Sequence, residues 1–236
     1  MDLLKSFTCP TLVLVGHFGS GKTEIAVNLA LALAAERPAV NLVDLDLVKP
    51  YFRCRLARDA VGPRGVRLVA PEGEYFHSDL PILMPEIAGL LQRDDQLTIL
   101  DVGGDDTGAR VLGALRGAIR DGQYELLLVV NARRPGTATA VATVAVLDEI
   151  EAAAHLRVTG LVSNTHLMAE TTPAIVREGL ALCREVTALT GRRTRFVCAE
   201  QALAPQLSDL DAPLLPLTRH IVPPFIPRPV PTRLAV

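Results

Sequence analysis

Residues 11–24 read TLVLVGHFGSGKTE. A short run rich in valine and leucine, TLVLV, leads into a loop with three glycines, which opens on KTEIAVNLALALAAE (22–36), a stretch of good helix formers. The spacing Gly16-x-x-x-x-Gly21-Lys22-Thr23 therefore predicts strand, loop and helix in that order. A loop of this kind wraps a phosphate with backbone N–H groups, and side chains would block the approach, hence the glycines. The helix N-terminus adds roughly half a positive charge. Lys22 is long enough to reach β- and γ-phosphates, and Thr23 offers a hydroxyl to Mg2+.

Working outward, apolar runs alternate with helical patterns. AVNLVDLD (39–46), LTILDVGG (97–104), YELLLVVN (124–131), VTGLVSN (158–164) and RTRFVCA (193–199) read as strands, with VRLVA (66–70) a candidate for another. Residues 80–93 (helical at least after Pro85), 107–120, 135–154 and 172–190 read as helices. Strands that are apolar throughout are buried on both faces. Their alternation with helices predicts an α/β fold: a mostly parallel sheet with helices on both faces and right-handed crossovers. Ligands of such sheets sit at the carboxyl ends of the strands.

Acidic residues fall at two of those ends. Asp44 and Asp46 close the second strand in DLD, and Asp101 sits in DVGG near the end of a later one. An acid at a strand tip beside a phosphate site holds Mg2+ through water. Gly104, three residues on, can turn its N–H toward the γ-phosphate. Together these residues predict a metal-and-water arrangement, with single helix-capping roles as the alternative for each.

The bulk composition excludes several classes. The chain has 236 residues, 49% apolar and 21% charged, enough for one sizeable core. A net charge of −2, few aromatics and no tryptophan argue against a nucleic-acid surface. Cys9, Cys54, Cys183 and Cys198 form no CxxC pair and read as reduced, buried thiols. The start, MDLLKSFTCP, lacks a signal-peptide pattern, and the apolar runs fall short of the roughly 20 residues of a membrane span, so the expectation is a cytoplasmic protein. Residues 1–210 read as one nucleotide-binding domain. Residues 211–236, with seven prolines from Pro213 to Pro231, read as a tail packed on the domain or extending to a partner, in which LLPL (214–217) can form a last edge strand.

The loop, the DLD and the DVGG together resemble the MinD/ParA and CobQ/CobB group of P-loop nucleotide-binding proteins, over roughly residues 10–220. The resemblance implies a three-layer P-loop NTPase fold, ATP and Mg2+ as ligands, and slow hydrolysis. It implies that Gly16, His17, Phe18, Gly19, Ser20, Gly21, Lys22, Thr23 and Glu24 hold the phosphates, with Lys22 also catalytic. Thr23, Asp44 and Asp101 would serve the metal, Asp46 would position the attacking water, and Asn164 with the loop from Ala199 and Glu200 would read the base. Members of the MinD/ParA branch carry a lysine after the first glycine of the loop, which reaches the partner's nucleotide in a dimer. Here that position is His17, which puts a homodimer of that type in doubt. The loop also resembles that of metallochaperone GTPases, but neither NARR (131–134) nor SNTH (163–166) supplies their guanine-reading NKxD element, which favours ATP.

Three further stretches stand open. KPYFRCR (49–55) either senses the γ-phosphate or packs its aromatics on the core. GEYFHSD (73–79) is an aromatic and polar loop suited to a substrate or a protein partner. Arg133 and Arg134 mark a strand end that faces either the ligand or solvent. The expectation is an Mg2+-dependent ATPase acting as a switch. The alternatives are a transferase or ligase of the CobQ/CobB or dethiobiotin synthetase type and a nucleotide-gated adaptor with little turnover.

Overall fold

The computed structural model describes residues 3–46, 54–70, 76–104 and 106–221. Eight strands form one sheet in the order β3-β2-β4-β1-β5-β6-β7-β8. They are β1 (Thr11–Val15), β2 (Val40–Leu45), β3 (Val66–Val69), β4 (Leu97–Val102), β5 (Tyr124–Val130), β6 (Gly160–Ser163), β7 (Thr194–Glu200) and β8 (Leu214–Leu217). Every neighbouring pair is parallel. The helices are α1 (Lys22–Ala34), α2 (Arg58–Val61), α3 (Phe76–Leu91), α4 (Asp106–Ala114), α5 (Ala140–Ala154) and α6 (Pro173–Thr190).

The side-chain period of two along each strand divides the core into layers. Leu12 and Leu14 of β1 pack with Leu42, Ile99, Leu127 and Val129 against Ile25, Leu29 and Leu33 of α1. Val13 and Val15 point the other way, with Val43, Leu100, Leu126 and Leu128, toward Ile87 and Leu91 of α3, Leu112 of α4, Leu147 of α5 and Val186 of α6. Continuous apolar strands are thus covered on both faces, as expected of a parallel sheet. The chain builds β2, β3 and β4 on one side of β1 and β5 to β8 on the other. The strand order reverses at β1, where the glycine loop leaves the sheet.

Three boundaries differ most from the sequence reading. Helix α5 starts at Ala140 rather than 135, because Pro135–Thr137 forms a separate 3₁₀ turn and Thr139 caps the helix. Helix α3 starts at Phe76 and runs through Pro81 and Pro85, so those prolines remove their own N–H bonds without ending the helix. Helix α4 ends at Ala114 rather than 120, where a Leu115–Ile119 segment closes with tighter, three-residue backbone bonds. Strand β8 forms at the sheet edge, the one place a strand tolerates Pro216. Most of the 49–55 stretch, the start of the 73–79 stretch and residues 222–236 lie outside the described residues. No helix among the described residues is long and apolar enough to cross a membrane.

Candidate functional site

The glycine loop connects β1 to α1 and sits at the carboxyl edge of the sheet. Gly21 is the N-cap of α1, with φ +88° and no side-chain cap, so the first-turn N–H groups of the helix lack the side-chain acceptor that a Ser or Asp there would supply. A Cβ on Gly21 would run into the Asn164 amide, which in turn donates to Ser20 O at 2.7 Å. From β5's exit, Arg134 Nε donates to Gly19 O at 3.1 Å. The loop is therefore held from outside by the ends of β5 and β6. His17 is exposed, and its ring lies against Gly136.

Lys22 is buried, and its Nζ donates to Gly16 O at 2.9 Å and His17 O at 3.3 Å. It spans the loop as a cation tethered to carbonyls. Gly104 approaches from β4: a Cβ there would lie 2.8 Å from Phe18 N and 2.9 Å from Lys22 Nζ. Glycine at 104 is thus required by close approach, at the spacing the sequence suggested.

Behind Lys22 lie the acids. The aligned ends of β2 and β4 place Asp44 beside Asp101 in register. Asp101 is 1% exposed, and its Oδ1 has no hydrogen-bond partner among the described residues. Burial pushes its carboxyl up to about 6, opposed by the Thr23 hydroxyl, the Lys22 charge and the Cys54 thiol, while Asp46 adds to the rise. The Cys54 Sγ donates to Asp101 Oδ2 at 3.1 Å. Asp44 Oδ1 accepts the Asp46 N–H at 3.1 Å, which sets the turn that carries Asp46 to the cavity wall. Thr23, with a buried carboxylate oxygen lacking a donor, offers the hard oxygen set that suits Mg2+. Among the described residues no three His, Cys, Asp or Glu converge into a protein-only metal cage.

A cavity of about 380 Å3 opens from the loop, within the range of about 300–1,000 Å3 seen for small-molecule sites. Phe18, Gly19, Gly21, Lys22, Thr23, Glu24 and Asp46 form one wall. Asn164, Ala199 and Glu200, which the sequence singled out, line the remaining side with Thr165, His166, Met168, Thr171 and Cys198. His166 is held as neutral imidazole: burial, with the nearby Arg134 and Arg219 charges, lowers it to about 4. Leu217, Arg219 and Ile221 complete this side. They went unread because nothing in their local pattern ties them to a loop some two hundred residues earlier. Glu24 lines the cavity, but its carboxylate accepts the backbone N–H groups of His220 and Ile221.

Neither a family model nor a curated protein matches the chain. Solved structures do. The cell division protein FtsY from Thermotoga maritima superposes with a TM-score of 0.57 at 19% identity, over 84% of this chain and 67% of that one. The signal recognition particle 54 kDa protein from Aeropyrum pernix, solved in complex with GDP, superposes with a TM-score of 0.55 at 25% identity. That match covers 83% of this chain and 45% of the other, so this chain spans less than half of that protein. FtsY from Mycoplasma mycoides gives a TM-score of 0.53 at 17% identity, over 79% and 59% of the two chains. These neighbours are P-loop NTPases. With its eight-stranded parallel sheet and glycine loop at the strand-order reversal, the chain has the α/β fold of a P-loop NTPase.

Proposed function

We propose that the protein binds a nucleoside triphosphate, ATP, with Mg2+ and hydrolyses it slowly, as a switch of the kind found in the MinD/ParA and CobQ/CobB group. The observation that carries this reading is the joint placement of Lys22, Thr23, Gly104 and the buried Asp101 around one loop. The loop amides and the α1 N-terminus bind the phosphates. Lys22 exchanges its loop carbonyls for phosphate oxygens and stabilises the charge that develops on them. Thr23, Asp44 and Asp101 would hold Mg2+, which supplies charge neutralisation on the phosphates. Asp46, on the cavity wall, orients the attacking water. Such catalysis is placement and electrostatics.

Asp46→Asn tests the division of labour. It is expected to keep nucleotide affinity within about twofold and to slow phosphate release by at least about tenfold, since positioned proton acceptors contribute about 10²–10⁴. Equal release in both proteins would remove Asp46 from the reaction. GTP is the second reading, supported by the GDP complex of the signal recognition particle protein. Against it, the NKxD element calls for an acid three residues after its Asn, and three residues after Asn164 the chain carries Leu167. Parallel titrations with ATP and GTP separate the two.

A further inference from the structure

Past the end of β8, the chain leaves the sheet ladder, and residues 218–221 are tied instead to α1. Asn28 exchanges two hydrogen bonds with Thr218: Nδ2 donates to Thr218 O at 2.9 Å, and Oδ1 accepts the Thr218 N–H at 2.9 Å. One turn earlier, Glu24 accepts the His220 N–H at 2.6 Å and the Ile221 N–H at 3.1 Å. Four hydrogen bonds thus fasten this segment to the helix that the glycine loop begins. A carboxylate one residue after Thr23 repels phosphate, and here it is spent on backbone amides.

The segment faces the cavity with Leu217, Arg219 and Ile221. Arg219 reaches across to Glu200 at 3.7 Å and to Met168 Sδ at 3.9 Å. The surface it makes with Met168 and Ala199 is apolar, closed at its rim by a planar guanidinium. That is chemistry for an aromatic base, since guanidinium planes stack on rings and apolar side chains cover ring faces. The geometry points to residues 217–221 as the wall that holds the nucleoside end of the bound nucleotide, with Glu24 and Asn28 as positioning residues that set it. This rests on the nucleotide-binding reading above.

The test compares Mg-ATP with Mg-tripolyphosphate, which carries the phosphates without the nucleoside. Glu24→Ala and Asn28→Ala are each expected to lower ATP affinity about tenfold and to leave tripolyphosphate affinity within about twofold, the scale of one or two hydrogen bonds. Equal losses for both ligands, or unchanged ATP affinity, would overturn the wall. A parent protein that binds neither ligand overturns the nucleotide reading itself, and this wall with it. Should the variants fail to fold, photolabelling of the unaltered protein with 8-azido-ATP decides: label on the peptide holding 217–221 supports the wall, and label confined elsewhere overturns it.

Discussion

The glycine-loop side of the cavity comes from consecutive residues of one turn, Gly16 to Thr23, braced by the tips of β2 and β4. The remaining side is assembled from the ends of β5, β6, β7 and β8, which lie more than a hundred residues further along. The first side is crowded and charged: Lys22, Asp44, Asp46 and Asp101 are all buried. The second is largely apolar, with a neutral imidazole in it. The contrast teaches where each kind of specificity comes from. Phosphate recognition needs backbone amides and fixed charges, which a local motif can carry. Base recognition needs a shaped wall, which only the assembled sheet provides.

The largest expected effect follows from crowding on the glycine-loop side. Gly21→Val would force a β-branched residue to φ +88° against the Asn164 amide. A loss of about 2–4 kcal/mol in folding stability is expected from strain and overpacking, read by urea denaturation. A loss below about 0.5 kcal/mol would show that the loop is softer than its packing implies.

Next comes a difference in sign between the two sides. Asp101 titrates at about 6 when folded, against an ordinary 3.8. Between those values the folded state holds the extra proton, so its contribution to stability is lost as pH rises from about 4 through about 6. His166 titrates at about 4 against an ordinary 6.5. There the unfolded state holds the extra proton, so stability is lost as pH falls from about 6.5 through about 4. Both effects are on the order of 2–3 kcal/mol at most, the smaller for the partly exposed His166. Relative to Asp101→Asn, the ligand-free parent is expected to lose stability with rising pH across that window. Relative to His166→Gln, it is expected to gain. Urea denaturation at a series of pH values checks this, and slopes of the same sign would break the comparison. The Asp101 result also implies that Asp101→Asn stabilises the ligand-free protein at pH 8 while removing Mg2+-dependent binding, a trade expected where function keeps a buried charge.

The sequence disclosed these sides unequally. Apolar runs placed six strands outright and offered 66–70 and 214–217 as candidates for the other two, because a strand buried on both faces leaves little room for polar residues. That Gly21, Lys22, Asp101 and Gly104 come together was legible because they meet nearly locally, their spacing set by one turn and the strand tips beside it. Asn164, Ala199 and Glu200 came from the family resemblance and do face the cavity. Arg219, Ile221 and the Glu24 and Asn28 ties were not legible, because their partners are some 190 residues away and backbone amides leave no mark in a side-chain pattern. The course of α3 through two prolines was also missed. Its packing of Ile87 and Leu91 against the sheet outweighs two lost hydrogen bonds.

The smallest effect probes the join between the sides. Asn164→Ala removes the amide that donates to Ser20 O and leaves that carbonyl without it. A cost of about 1 kcal/mol in stability is expected. A loss in nucleotide affinity of similar size should accompany it, because the loop relaxes away from the remaining side. An affinity loss without any change in stability would assign Asn164 to base contact alone.

The central claim is that the loop from Gly16 to Thr23 holds the phosphates of a nucleotide. Calorimetric titration of the protein and its Lys22→Ala variant with ATP and GTP, with and without Mg2+, tests it most directly. The account expects one nucleotide to bind the parent in a Mg2+-dependent way and to bind the variant at least about a hundredfold more weakly, as befits loss of a buried charge-assisted contact. Equal affinity in parent and variant, or heat from neither nucleotide with the folded parent, would contradict it.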